Sequence, residues 1–502
     1  MNIKRAKQEI KDAIEAYLAR DAYGEYQIPS FRQRPVLLIG APGIGKTQIM
    51  EQIAKECGVG LVAYTITHHT RQSAIGLPFI SQKEFGGRTC AVTEYTMSEI
   101  VASVYEKIEK TGLKEGILFI DEINCVSETL APAMLQFLQC KTFGNHAVPE
   151  GWIIVAAGNP PEYNKSVREF DVVTMDRVKR IEVEPDYEVW KEYAYQEEIH
   201  PAVISYLNTK PRYFYRMEST VDGKFFATPR GWEDLSRLIS VYEKLGKQVD
   251  REVTIQYIQY PKAAKDFANY LELYYKYQTD YQIDAVLGGK IDEILLKKTA
   301  HASFDEKLSV IGLLTARCVE HFRQVCRQEE TLEKVFACLK EGKERLFSGA
   351  ASDMAVCLKE ESDKLAYECE RKREAELLTR TERETFRRAG ALLETYERAF
   401  AGEHLQDKEE AFGKLKSLFV RDQDTYEELI CKAGRALEHA FDFMEAAFGD
   451  SQEMVVFVTE LTANYYCVKF LQSYDCPRYY RYNERLLFEK NQQNILEKLE
   501  RL

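Results

Sequence analysis

Residues 40–47 read Gly40-Ala41-Pro42-Gly43-Ile44-Gly45-Lys46-Thr47, directly after the apolar run Val36-Leu37-Leu38-Ile39. The spacing G-x-x-x-x-G-K-[ST] between a strand and a helix is that of a phosphate-binding loop. Gly40, Gly43 and Gly45 let the backbone close into a concave turn whose N–H groups face inward. The helix expected from Gln48 to Cys57 aims the positive end of its dipole at the same point. In such loops the lysine, here Lys46, reaches the β- and γ-phosphates of ATP, and the hydroxyl, here Thr47, ligates Mg²⁺. The cofactor-binding set is therefore residues 40–48, ending on Gln48. A chance glycine turn is the competing reading, but strand, loop and helix are all in register.

A second constellation is GILFIDEIN, residues 116–124. An apolar strand ending in Asp121-Glu122 holds Asp121 at the sheet edge beside the loop, where it can bind Mg²⁺ directly or through water. Glu122 is then placed to orient and deprotonate an attacking water. The alternative is an ordinary acidic pair ending a strand. A third is WIIVAAGNPP, residues 152–161, another apolar strand ending in the amide of Asn159. On a strand between the other two, that amide would reach the γ-phosphate or the water; otherwise Asn159 is a turn residue before Pro160-Pro161. Arg177, in TMDRVKRIEVE, and Arg230, in TPRGWEDL, complete the set. An arginine supplied by a neighbouring subunit can stabilise a transferring phosphoryl group, by about 10³–10⁵ in rate. A lone arginine is otherwise a solvated surface charge.

The elements that must position these residues divide the chain into three regions. Residues 1–184 alternate strand-like runs (Val36–Ile39, Leu61–Thr67, Ile117–Ile120, Trp152–Ala157 and Val178–Val183) with helical patterns such as Met97–Lys110 and Ser127–Gln139. Continuous apolar strands between helices imply a parallel sheet covered on both faces. An amphipathic helix bearing Ile10, Ile14, Tyr17 and Leu18 precedes them. Residues 185–285 read as helical and aromatic, with Thr228-Pro229 opening a helix. Residues 286–502 read as an all-α extension with long charged helices such as Asp353–Arg398, broken at Gly349, Gly402 and Gly449.

Composition bounds the function. With 502 residues, about three domains are expected. A net charge of −12 speaks against nucleic acid as the main partner, because a basic footprint is expected there. The twelve cysteines include no C-x-x-C pair, so they read as reduced, small apolar residues. No apolar run has the length of a membrane span and no signal peptide is evident, so a cytoplasmic location is expected.

The phosphate loop, the Asp-Glu strand, the asparagine strand, DR before the fifth strand and TPR opening a helix occur in an order that resembles an AAA+ ATPase, and more narrowly the MoxR group. The resemblance covers about residues 25–245. It implies an α/β P-loop core with a five-stranded parallel sheet and a helical lid, in a homo-oligomeric, usually hexameric ring with ATP between subunits. It also implies roles: Lys46 and Thr47 as Walker A, Asp121 and Glu122 as Walker B, Asn159 as sensor 1, Arg230 as sensor 2, and Arg177 as the arginine acting in trans, with Arg180 a competitor. Residues 68–92 resemble the hairpin insertion in helix 2 of that group, with Phe79-Ile80 and Cys90-Ala91-Val92 flanking Gly86-Gly87. Residues 140–152 look like a second hairpin; two plain surface loops are the alternative. His68-His69 has no ligand cluster to support a metal role.

Beyond residue 285 the resemblance gives no guide. Residues 362–390 read as a solvated helix face with Leu365, Leu377, Leu378 and Phe386 as a buried stripe, or as a partner-docking arm. Tyr465-Tyr466 and Tyr479-Tyr480 form either a packed cluster or an interface. The expected function is a ring-forming ATPase that remodels or activates a partner protein. The family implies a partner carrying a von Willebrand factor A domain, since no D-x-S-x-S motif is present here. Two alternatives remain: a nucleic-acid-stimulated motor using Lys83, Arg88 and Lys141, and a nucleotide-gated scaffold with slow hydrolysis.

Overall fold

The computed structural model describes residues 1–68, 70–163, 167, 170–221, 223–348, 353–400 and 408–486. Contacts group the chain into two compact units, Met1–Val189 with Glu368–Arg380, and Trp190–Tyr367 with Thr381–Leu502. Residues on both sides of position 285 fall in the second unit.

The first unit runs α1 (Ile3–Leu18), β1 (Val36–Gly40), α2 (Lys46–Cys57), β2 (Gly60–Thr65), α3 (Arg71–Ile75), β3 (Pro78–Phe85), β4 (Arg88–Tyr95) and α4 (Glu99–Thr111). It continues with β5 (Gly116–Asp121), α5 (Ala131–Cys140), β6 (Thr142–Phe143), β7 (His146–Ala147), β8 (Trp152–Gly158), α6 (Val172–Met175) and β9 (Lys179–Val183). Five strands form one sheet in the order β2-β5-β8-β1-β9, every neighbouring pair parallel. The central strands are buried along their length because helices cover both faces, which is why they read as unbroken apolar runs. Gly60, Gly116 and Trp152 are paired across three adjacent strands. A Cβ on Gly116 would lie 2.6 Å from the Trp152 ring, so the two glycines make room for that indole. The hairpin β3–β4 pairs Phe85 with Arg88 around Gly86-Gly87, where the sequence expected it. The short pair β6–β7 forms the second hairpin.

The sheet's amino edge is tied to the chain that precedes β1. Lys141 ends α5 in a left-handed conformation, φ 56°. It is 5% exposed and its ammonium donates to Gln33 Oε1 at 2.9 Å. Gln33 in turn donates to the carbonyls of Tyr17 and Ile28. This corrects the sequence reading that offered Lys141 to phosphates: it is spent inside the unit. Lys83, offered with it, pairs with Glu94 across the β3–β4 hairpin.

The second unit contains α7 (Tyr187–Gln196), α8 (Pro201–Thr209), β10 (Arg216–Thr220), β11 (Gly223–Ala227), α9 (Pro229–Lys244), α10 (Arg251–Tyr257), α11 (Pro261–Asp280), α12 (Ile283–Leu287) and α13 (Glu293–His301). It ends with α14 (Phe304–Ser348), α15 (Met354–Glu374), whose residues from Glu368 belong to the first unit, α16 (Arg380–Phe400), α17 (Lys408–Phe448), α18 (Gln452–Ala463) and α19 (Tyr465–Ser473). The antiparallel pair β10–β11 was not foreseen in a region read as helical. The expected helix Asp353–Arg398 is broken instead into α15 and α16. Glu376 takes φ 61°, and Leu377 N–H returns to Lys372 O at 2.9 Å, a helix stop normally written with glycine. Leu365, Leu378 and Phe386 are buried as expected, Leu377 only partly. Tyr466 and Tyr479 pack inside while Tyr465 and Tyr480 stay exposed, so each pair is split between core and surface. Gly349, Gly402, His69 and the side chain of His68 lie outside the described residues; Gly449 follows α17 with φ 62°. Among the described residues no helix is long and apolar enough to cross a membrane.

Burial pushes the Lys141 ammonium down to about 8 from its ordinary 10.5. Below pH 8 both folded and unfolded chains are protonated there and the burial penalty is present in full. Between about 8 and 10.5 the unfolded chain holds the extra proton, so the parent gains stability as pH rises. Lys141→Met is therefore expected to be more stable than the parent at pH 7, by about 1–3 kcal/mol. That advantage should shrink toward pH 10. Urea unfolding at both pH values checks this; an advantage that does not change with pH contradicts it.

Candidate functional site

Gly40 closes β1, Asp121 closes β5 and Gly158 closes β8, so the three loops beyond them open at one edge of the sheet. The chain returns from β8 across β1 to β9, which makes this edge the point where strand order switches. Open parallel sheets bind ligands at such a point.

The loop geometry is set by its glycines. Gly43 and Gly45 hold φ 76° and 93°, a region that costs other residues about 1–2 kcal/mol. A Cβ on Gly40 would lie 2.8 Å from Val183 O on the neighbouring strand. The helix α2 starts at Lys46 rather than Gln48, and Gly45 at its N-cap offers no side-chain cap. Gly45 thus brings no side-chain oxygen to the first N–H groups of that helix, which suits an anion seat.

Lys46 is 7% exposed and its Nζ donates to Gly40 O at 2.7 Å, Ala41 O at 2.9 Å and Asn159 Oδ1 at 3.0 Å. Thr47 Oγ1 donates to Asp121 Oδ2 at 2.9 Å. The other carboxylate oxygen, Oδ1, accepts the Glu122 N–H at 2.9 Å. Glu122 itself is left-handed, φ 57°, and its Oε2 accepts from Thr67 Oγ1 at 3.1 Å. Asn124, two positions on, is 4% exposed and donates from Nδ2 to Asn159 O at 2.7 Å. Lys46, Thr47, Asp121, Glu122 and Asn159 therefore come together as the sequence expected. The strand bearing Asn159 does lie between the strands ending in Gly40 and Asp121.

Arg177 and Arg180 pair with residues outside this network. Arg177 is exposed and its guanidinium donates to the Gln139 side chain on α5. Arg180 is exposed on β9 and pairs with Glu182. It also lines a cavity of about 600 Å³ with Gly40, Ala41, Asn124, Asn159 and Tyr163. Arg230 belongs to the second unit, in the first turn of α9, where Thr228 Oγ1 caps the Gly231 N–H at 3.3 Å.

Chemically, the arrangement offers an ammonium and a helix N-terminus to phosphate, and a hydroxyl–carboxylate pair to a hard divalent cation. The Glu122 carboxylate stands next to them for proton transfer. This donor set fits ATP with Mg²⁺. Sequence reasoning missed Thr67 and Asn124. Asn124 carried a signal, a polar residue inside an apolar run right after Asp121-Glu122; Thr67 carried none beyond ending a strand.

A family model described as AAA domain (dynein-related subfamily) matches residues 35–178. No curated protein matches the chain. Among solved structures, one from Cytophaga hutchinsonii, named as a candidate ATPase, matches at 19% identity with a TM-score of 0.23. That match covers 39% of this chain and 56% of the other, little more than half its length. Residues 35–178 thus carry an AAA+ nucleotide-binding core with a phosphate-binding loop, on the family match and the sheet order. Beyond β9 the chain is mostly helical.

Gly45→Ala is expected to lower stability by about 1–2 kcal/mol through backbone strain alone. An added Cβ would meet nothing closer than Gln48 Oε1 at 3.4 Å. A neutral result in urea unfolding would contradict the strain.

Proposed function

We propose that this chain is an ATP-binding and ATP-hydrolysing AAA+ protein of the MoxR type, which assembles into a ring and remodels or activates a partner protein. The observation that carries the reading is the run of hydrogen bonds joining Lys46 to Asn159, and Thr47 to Asp121, beside Glu122.

On this reading, residues 1–184 are the nucleotide-binding core, 185–285 the lid and 286–502 an α-helical extension. Lys46 and backbone N–H groups of the loop 40–48, Pro42 excepted, bind the phosphates. Lys46 must then exchange some of its oxygen partners for phosphate oxygens. Thr47 and Asp121 hold Mg²⁺, which when bound neutralises phosphate charge. Glu122 accepts the proton of the attacking water, and Asn159 orients that water or the terminal phosphate. Arg177, exposed and outside the hydrogen-bond network of its own subunit's site, acts in the neighbour's site; Arg180 is the alternative. Arg230 reads the nucleotide from the lid. The partner is a separate protein, with a von Willebrand factor A domain as the family's precedent, and the setting is cytoplasmic.

Glu122→Gln is expected to bind ATP with near-parent affinity and lose about 10²–10⁴ in turnover. Steady-state hydrolysis and a binding titration on both proteins check this. Normal turnover in the variant removes Glu122 from the role of base; absence of turnover in the parent removes the ATPase reading. Light scattering of Glu122→Gln should show an ATP-dependent shift to a hexamer-sized particle, and a persistent monomer would leave Arg177 without a site to complete.

A further inference from the structure

Asn159 sits one residue beyond the ladder of its own sheet. The last pair between β8 and β5 is Ala156 with Ile120, and the last between β8 and β1 is Gly158 with Ile39. The peptide N–H and C=O of Asn159 therefore need partners from elsewhere. Asn124 supplies both: its Nδ2 donates to Asn159 O at 2.7 Å, and Asn159 N–H donates to Asn124 Oδ1 at 3.3 Å. A carboxamide carries one donor and one acceptor side by side, as a neighbouring strand would. Aspartate has the acceptor but no donor, and alanine has neither.

Gly158 belongs to the same device. A Cβ there would lie 2.6 Å from Asn124 Oδ1, 2.8 Å from Cγ and 3.0 Å from Nδ2. The Asn124 carboxamide fills the space that a side chain at 158 would take. It reaches there because Asn124 lies in the 3₁₀ turn Ile123–Cys125. That turn comes directly after Glu122, and the Glu122 N–H is fixed by Asp121 Oδ1. Lys46 holds the Asn159 side chain, and Asn124 holds the Asn159 peptide.

We propose that Asn124 is a positioning residue: it clamps the peptide of Asn159 to the turn bearing Glu122, so that a change of partner at the Asn159 amide is passed to the Glu122 carboxylate. The regulatory half of this rests on the ATPase reading above; the clamp does not. Asn124 touches no phosphate and does not act as acid or base. It sets where Glu122 stands when Lys46 exchanges Asn159 for phosphate.

The test uses the full chain with Asn124→Asp, which keeps the shape and removes the donor, and Gly158→Ala, which leaves Asn124 in place and displaces its amide. Amide hydrogen exchange on the ligand-free proteins is read first. Both variants should exchange faster over residues 157–161, with β1 and β5 as protected as in the parent. In turnover, both should lose on the order of 10²-fold in kcat with KM for ATP near the parent value, since a misplaced group costs rate while the phosphate loop stays intact. Unchanged exchange at 157–161 overturns the clamp. Faster exchange with parent kcat overturns the coupling to Glu122. A parallel fall in kcat, ATP affinity and protection across the whole sheet also overturns the proposal, because it marks a purely structural residue. A parent without turnover refutes the ATPase reading and with it the coupling, while the exchange data still decide the clamp.

Discussion

Holding the Lys46 ammonium almost out of water at the end of a parallel sheet obliges the surrounding chain to bring oxygens to it, and Gly40, Ala41 and Asn159 do so. Burying a charge without partners is costly enough that the group would otherwise neutralise or leave the interior. Two of those oxygens are the backbone carbonyls of Gly40 and Ala41, where β1 runs into the loop. The third comes from a strand distant in sequence, which is why the order of β5, β8 and β1 matters. If β8 did not lie between the other two, Asn159 would not stand over Lys46.

Two left-handed turns without glycine redirect the chain in the first unit. Glu122 and Lys141 both adopt left-handed backbones without being glycine. At Glu122 the conformation turns the chain from the strand end into the short turn that carries Asn124, while Asp121 pins the turning peptide. At Lys141 it turns the chain out of α5 toward β6 and buries the side chain on Gln33. The second unit is organised around different contacts. Tyr206, Trp232 and Phe267 pack their rings together under α9. Lys191 on α7 is buried against Glu460 on α18 at 2.5 Å, with the Tyr195 hydroxyl on the same carboxylate. A buried pair of this kind is expensive to break from one side, because the remaining charge stays uncompensated.

Much of the core was legible because its signals are local. The strands β1, β5 and β8 are continuous apolar runs, and each ends in or directly before a residue of the site, while β9 alternates charged and apolar residues. The loop glycines announce positive φ, and Gly86-Gly87 announces a hairpin. What was not legible depends on contacts between distant segments. Nothing in residues 371–380 marks a helix stop, since Glu376 takes the place of a glycine, so α15 and α16 read as one helix. Lys141 looks like a surface lysine until Gln33 is folded against it. The β10–β11 pair did carry a local signal, the hairpin-favouring dipeptide Asp222-Gly223, but it was absorbed into a region read as helical. Asn124 was in plain view within GILFIDEIN, but its partner is Asn159, and only the fold brings the two together.

The central claim is that residues 40–48, with Asp121, form a seat for Mg²⁺ and ATP whose charge comes from Lys46. Titration calorimetry of the full chain with ATP, with and without Mg²⁺, on the parent and on Lys46→Met, tests it most directly. Saturable, Mg²⁺-dependent binding by the parent that is lost in Lys46→Met is the expected result. Binding of equal strength in both proteins, or none in the parent, would contradict the account.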